Sequence, residues 1–283
     1  MMSRKWLIAL AAIAAIAAAA VIAGCGAKSS SLPDLSSMGD IHAIAREEGS
    51  GTRAQFENLI GSDEKNAAIA ESTDEAIKKV SEDPDAIAYA AFSTVKQLDG
   101  VKILAVDGTA PSPETIRKDA YPLTRNYYLC WSGELSPAAQ DFLTYIQGAG
   151  QVITGDYAIP LGNAETFLSD KSAGTIKIAG SSSMAPLMKA LAEGYAKRNP
   201  NAKIDIEVTD STDGINAAME HRADLAMSSR ELKDYESELL NKAAIAHDGI
   251  AIIVSKQNPL TDITKDRIKQ ILDGTWSKWS DMK

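Results

Sequence analysis

From residue 40 onward, short apolar runs alternate with segments whose apolar positions recur every three to four residues. The apolar runs predict strands at Ile41–Ala45, Ala86–Ala90, Val101–Val106, Tyr127–Trp131, Thr175–Ala179, Ile204–Val208, Leu225–Met227 and Ile250–Val254. The periodic segments predict helices at Arg53–Ile60, Thr73–Val80, Pro137–Gln147, Ala185–Arg198, Gly214–His221, Glu231–Lys242 and Lys265–Leu272. Leu187, Ala190, Leu191 and Tyr195 show the spacing, lining one face of such a helix. Strands alternating with helices predict an α/β fold with its sheet covered on both faces. Pro200-Asn201 and Gly100 mark turns, and residues 163–174 (NAETFLSDKSAG) read as a polar connector.

The first residues follow another pattern. Arg4 and Lys5 precede an almost unbroken apolar run from Trp6 to Ala23, which predicts an export signal over residues 1–24. The run ends in Val21-Ile22-Ala23-Gly24-Cys25, small residues before a cysteine, as in a bacterial lipobox, so Cys25 is the expected lipidation site. Residues 25–39 are then expected to be a flexible tether holding an extracytoplasmic body to the cell membrane. An uncleaved spanning helix is the alternative. Cys130 has no partner once Cys25 is acylated, and its aromatic setting (Tyr127 to Trp131) predicts a small buried hydrophobe. The net charge of −9 argues against a nucleic-acid partner. It also means that a bound anion is held by local donors against the overall field.

Candidate chemistry sits where strands meet helices. Arg46-Glu47-Glu48-Gly49-Ser50-Gly51-Thr52 lies between the first strand and the first helix. A helix N-terminus points unpaired N–H groups and the positive end of its dipole at one place. Arg46, Ser50 and Thr52 are close enough in sequence to join them. Gly180-Ser181-Ser182-Ser183-Met184, Thr209-Asp210-Ser211-Thr212-Asp213-Gly214 and Ser228-Ser229-Arg230 repeat the arrangement after later strands, each expected to open a helix. Ligands of open α/β folds sit beyond the carboxyl ends of strands, so these loops predict one converging oxyanion site. Taken singly, each Ser or Thr is an ordinary helix cap worth about 1 kcal/mol. Ser182 and Ser183 add hydroxyls that capping does not need.

Rival motifs fail in context. Gly49 to Ala54 fits G-x-G-x-x-A, but two glutamates precede it where a pyrophosphate would be repelled. The chain contains no G-x-x-x-x-G-K-[ST] and no G-x-S-x-G. Ser62-Asp63-Glu64-Lys65 matches S-x-x-K by chance, without its partner motifs. His42, His221 and His247 lack metal spacing, so no metal, cofactor or enzymatic activity is expected.

Several segments together resemble the phosphate-binding proteins of bacterial ABC importers, of the type II periplasmic-binding class. They are IAGSSSMAPL (178–187), DSTDGI (210–215), ADLAMSSREL (223–232), HDGIAIIV (247–254) and REEGSGTR (46–53), with weaker matches at 85–89, 106–112, 121–125 and 150–161. The resemblance implies two α/β lobes around a ligand cleft. It implies phosphate contacts from Arg46, Ser50, Gly51, Thr52, Ser182, Ser183, the Met184 N–H, Ser211 and Ser229. Arg46 would be the only formal positive charge, oriented by Glu48. The segment order differs from the family's: its second half (Ile41 to Leu161) precedes its first (Gly174 to Lys283), as in a circular permutant. Residues 101–254 would then form a continuous lobe, with 40–98 and 255–283 as the split one. Some family members carry Asp where Ser229 stands, which rejects fully ionised sulfate.

The function expected is capture of inorganic phosphate by a monomeric, lipid-anchored receptor that delivers it to ABC permease and ATPase subunits. Receptors for sulfate or molybdate, a phosphate sensor uncoupled from transport, and an exported phosphate-ester hydrolase are the competing readings.

Overall fold

The computed structural model describes residues 32–282 apart from Asp63 and Lys65, and the folded body begins at Asp34. The expected export signal and Cys25 lie outside the described residues. So do two residues of the S-x-x-K match.

The strands are β1 (His42–Arg46), β2 (Ala68–Ala70), β3 (Ala86–Ala91), β4 (Val101–Ile103), β5 (Ala105–Val106), β6 (Thr124–Trp131), β7 (Gly174–Ser181), β8 (Ala202–Thr209), β9 (Leu225–Ser228), β10 (Asn241–Ser255) and β11 (Asp262–Ile263). The helices are α1 (Gly51–Ile60), α2 (Thr73–Glu82), α3 (Phe92–Val95), α4 (Pro113–Arg117), α5 (Pro137–Gln147), α6 (Gln151–Tyr157), α7 (Ala185–Ala196), α8 (Ser211–Met219), α9 (Asp234–Leu239) and α10 (Lys265–Leu272). The sheet runs β2-β1-β3-β10-β6-β9-β7-β8, with β4 also paired to β10, and β5 pairs separately with β11.

Strand β10 joins two halves of this sheet. Its residues 241–249 pair antiparallel with β6, and 250–255 pair antiparallel with β3 and β4. Beyond β3 the strands β1 and β2 continue in parallel, and beyond β6 come β9, β7 and β8. The expected boundaries at 98/101 and 254/255 therefore shift. Residues 250–254 pair with β3, 101–103 pair with 253–255 of β10, and 105–106 pair with β11, so both segments go with the half containing 40–98 and 255–282.

The expected helix over Glu231–Lys242 is shorter, Asp234–Leu239, and the last two of its expected residues open β10 instead. The alanine-rich run after Asn241 suits a helix locally, but its pairing along β6 overrides propensity. The last part of the expected tether is also not free. Leu35 is buried and the Gly39 N–H donates to Asp85. The connector is fastened through the Ser169 hydroxyl and the Asp170 N–H, both donating to the buried carboxylate of Asp141.

One core lies between the second half of the sheet and its helices, with Phe142, Ile146, Met188, Leu191 and Tyr195 all buried in it. Cys130 is buried as expected, and burial pushes its thiol up to about 12. The two ends of the described body meet. Ile41 N–H donates to Ser277 O at 2.7 Å, Trp279 N–H donates to Gly39 O at 3.2 Å, and Asp40 bridges Lys278.

Candidate functional site

Strands β1, β7, β8 and β9 all end in one place, each running into hydroxyl-bearing residues. Loops after β1, β7 and β8 open helices α1, α7 and α8. The loop after β9 does not. Residues 231–233 separate Ser228-Ser229-Arg230 from α9, so the fourth wall supplies side chains without a helix terminus.

Arg46 closes β1 and is only 2 % exposed. A buried guanidinium needs its donors satisfied. Nε and one terminal nitrogen bind the two oxygens of Glu47 at 2.7 and 2.6 Å. The other terminal nitrogen reaches Thr73 Oγ1 at 2.8 Å, and Nη2 also reaches Ser182 Oγ at 3.1 Å. The orienting carboxylate is thus Glu47 rather than the expected Glu48, which is exposed. Behind Arg46, its own N–H donates to the Tyr89 hydroxyl and its carbonyl accepts from Arg53. The fork geometry of Arg46 with Glu47 fixes the guanidinium plane.

Ser50 caps α1, its hydroxyl accepting from Arg53 N–H at 3.3 Å. The N–H groups of Gly51 and Thr52, in the first turn of α1, meet no acceptor among the described residues. Gly51 packs so closely against α8 and the β9 loop that a Cβ there would overlap Ser211 Oγ and stand 2.8 Å from Ser229 Oγ. From the other half of the sheet, Ser181 Oγ is 3.0 Å from both Ser183 Oγ and Ser229 Oγ. Ser211 Oγ lies 3.3 Å from Ser229 Oγ and accepts from the Ser229 N–H. Thr52 Oγ1 completes the cluster, donating to Ser183 Oγ at 3.5 Å.

Of the expected contacts, Arg46, Ser50, Gly51, Thr52, Ser182, Ser183, Ser211 and Ser229 are therefore gathered in one cradle. Met184 differs. Its N–H donates to Ser181 O, closing the turn that enters α7.

Four participants escape the sequence reading. Ser181 and Thr73 join the hydroxyl cluster, and Arg125 with Asp248 lies beneath it. Arg125 donates twice to Asp248 Oδ2, at 2.9 and 2.8 Å, once to Thr52 Oγ1 at 2.8 Å and once to Ser229 O at 3.3 Å. Asp248 in turn accepts from the Ser93 N–H. Arg46 is thus not the only positive charge at the site. The position of Arg125, where β6 begins beside β10, was a signal available only once the strands were paired. Among the described residues no cluster of His, Cys, Asp and Glu could hold a metal ion.

Hydroxyls, helix-terminal amides and two buried guanidiniums, arranged without a nucleophile–base pair, form a donor array for a small oxyanion. A family model described as PBP superfamily domain matches residues 9–149 and 166–283. The phosphate-binding protein PstS 2 of Streptococcus agalactiae is 35% identical over 99% of this chain and 99% of its own length. The phosphate-binding protein PstS of Staphylococcus saprophyticus is 31% identical over 43% of this chain and 40% of its own. In three dimensions, the phosphate-binding protein of a phosphate ABC transporter from Streptococcus pneumoniae TIGR4 is similar with a TM-score of 0.71 and 34% identity, covering 87% of this chain and all of that one. The chain belongs to the PBP superfamily and, within it, to the phosphate-binding proteins named PstS.

Proposed function

We propose that this chain captures inorganic phosphate outside the cytoplasm and delivers it to an ABC importer. The observation that carries the reading is the convergence of Arg46, Ser50–Thr52, Ser182, Ser183, Ser211 and Ser229 on one cradle at strand ends. Relatives named for phosphate binding and for phosphate ABC transport support the ligand and the partner. Lipidation at Cys25, delivery to permease and ATPase subunits, and action as a monomer complete the proposal.

The two halves of the sheet act as lobes, with β10 and the chain around residues 107–123 as the crossings between them. Closing on the anion brings the first turn of α1 against α8 and the β9 loop. The order of segments is that of a circular permutant. Full-length collinearity with the Streptococcus agalactiae relative means that this order is shared with it. The short match to the staphylococcal relative, under half of each chain, is what one half in a displaced position would produce. The hydrogen-bonded ends of the body support the same reading.

Calorimetric titration with phosphate tests the ligand. Saturable heat with phosphate is expected. Heat with molybdate alone would overturn the assignment. Arg46→Ala removes two hydrogen bonds to the cradle hydroxyls from a charged donor, each worth about 1.5–3 kcal/mol, so affinity should fall by at least about a hundredfold. Unchanged affinity would take Arg46 out of the site.

A further inference from the structure

The hydroxyl of Tyr127 stands where the two halves of the sheet meet, beside Arg125. Tyr127 belongs to the second half. Its ring is buried in the core of that half, with the Arg125 guanidinium 5.0 Å from the ring centroid. From its own half the hydroxyl meets Arg125 Nη2 at 3.3 Å and the Ser183 carbonyl at 3.4 Å. From the other half it meets Ser93 Oγ at 3.0 Å. A guanidinium only donates and a carbonyl only accepts. The phenol that makes these bonds gives its proton to Ser183 O and accepts from Arg125. The third bond is then made by the Ser93 proton, donated to the phenol oxygen.

Ser93 is fixed to the first half. It lies in α3, which follows β3 without a break. Its N–H crosses in the same direction, to Asp248 Oδ1 at 2.9 Å, while Asp248 Oδ2 is kept by Arg125. Each partner thus has anchors within its own half and a bond across the boundary. Displacing one half against the other breaks the crossing bonds and spares the anchors. None of Ser93, Tyr127 and Asp248 is among the expected phosphate contacts, so these bonds bear on closure and not on the choice of anion.

We propose that Ser93 and Tyr127 form a latch: their bond is made as the two halves close, holds them closed, and slows the departure of a bound anion. The latch rests on the proposed closure of the halves. Phosphate capture enters only as the anion whose departure is slowed.

Native-state hydrogen exchange at Thr212, with and without phosphate, tests the latch. The Thr212 N–H crosses the same boundary to Gly49 O at 3.2 Å, so its exchange counts openings. Tyr127→Phe keeps the ring and removes the hydroxyl. Ser93→Ala keeps the N–H on Asp248 and removes the other donor. Each should speed exchange at Thr212 about two- to tenfold, the range of one neutral hydrogen bond, and leave the amides of β7 at the parent rate. The double variant should stay within about twofold of Tyr127→Phe alone, because the crossing bond is already lost there. In stopped-flow, the dissociation rate of phosphate should rise by the same factor and the association rate should hold within about twofold. Thr212 exchange at the parent rate under both conditions in the folded single variants overturns the latch. So does an equal rise in β7, an unchanged phosphate dissociation rate, or a double variant whose effect is the product of the singles. Should Tyr127→Phe not fold, Ser93→Ala decides alone. A parent chain that binds no phosphate strikes the capture reading, and the anion-free exchange series still decides the latch.

Discussion

Glu64 supports the cradle from a distance. One of its oxygens accepts from the Tyr89 hydroxyl at 2.9 Å, and the other is buried without a partner. Arg53 Nε stands 3.8 Å away. Tyr89 and Arg53 are the two groups that hold the N–H and carbonyl of Arg46. Burial pushes the Glu64 carboxyl up to about 8, against the opposing pull of Tyr89 and Arg53. Its folded pKa lies above the ordinary value of 4.5, so between those values the folded state holds the proton more tightly. Stability contributed by this group is full at acid pH and is lost as pH rises from 4.5 through about 8, by at most about 1.4 kcal/mol per pH unit. Glu64→Gln should remove that slope. Urea unfolding at pH 5, 7 and 8.5 would check it, and a variant with the parent slope would mean that Glu64 is not the titrating group. At this scale the sequence was legible where residues lie in one motif, as Arg46, Ser50 and Thr52 do. It was not legible where a partner is chosen by packing. Glu47 and Glu48 are adjacent carboxylates, and only the fold decides that one is bound to Arg46 and the other exposed. Arg125 and Asp248 become neighbours only through the register of β6 and β10.

In the proposed site, helix starts and the strand ends that feed them supply the donors. The α5 and α10 helices run over the residues their periodicity indicates, and α1 begins two residues earlier than expected because Ser50, not Thr52, is the cap. That small difference places Gly51 and Thr52 inside the first turn, where their amides are unspent. Gly51 is neither at a positive φ nor at a helix centre, so its importance is one of space. Gly51→Ala suits helix α1 but puts a methyl group into Ser211 and Ser229. Overpacking of this kind costs about 1–3 kcal/mol. If, as proposed, this contact forms as the two halves close on the anion, the substitution should weaken phosphate binding about ten- to a hundredfold and leave the melting temperature within a few degrees. A parallel fall in both, followed by calorimetry and thermal unfolding, would show that the close approach belongs to the resting fold instead. β2 and β11, two or three residues long, are too short to show a period in the sequence, and the strand expected over Val101–Val106 is split at Leu104 into β4 and β5. β10 was read only in its apolar second part, since the first part is alanine-rich and polar.

For the whole molecule, the order of segments matters less than the closure of the body. Gly39 to Ile41 and Ser277 to Trp279 are joined by main-chain hydrogen bonds, and Trp279 is fully buried with its indole N–H on Asp85 O. The connector, by contrast, is largely exposed away from its anchorage at Asp141, with Leu168 91 % exposed. A chain cut within the connector and rejoined between residues 282 and 34 should therefore fold and bind phosphate within about threefold of the parent, since ends that lie close together cost little to link. Circular dichroism and calorimetry on that rearranged chain would check this. Failure to fold would mean that the connector is more than a link. One contact across the cradle has a different kind of consequence. Thr212 N–H donates to Gly49 O at 3.2 Å, main chain to main chain. Among the natural residues only proline at 212 removes the donor N–H. A survey by alanine would pass over the contact, whereas an amide-to-ester exchange at Thr212 would expose its worth. Drift in sequence can thus alter what this site prefers more easily than it can undo the way its walls come together.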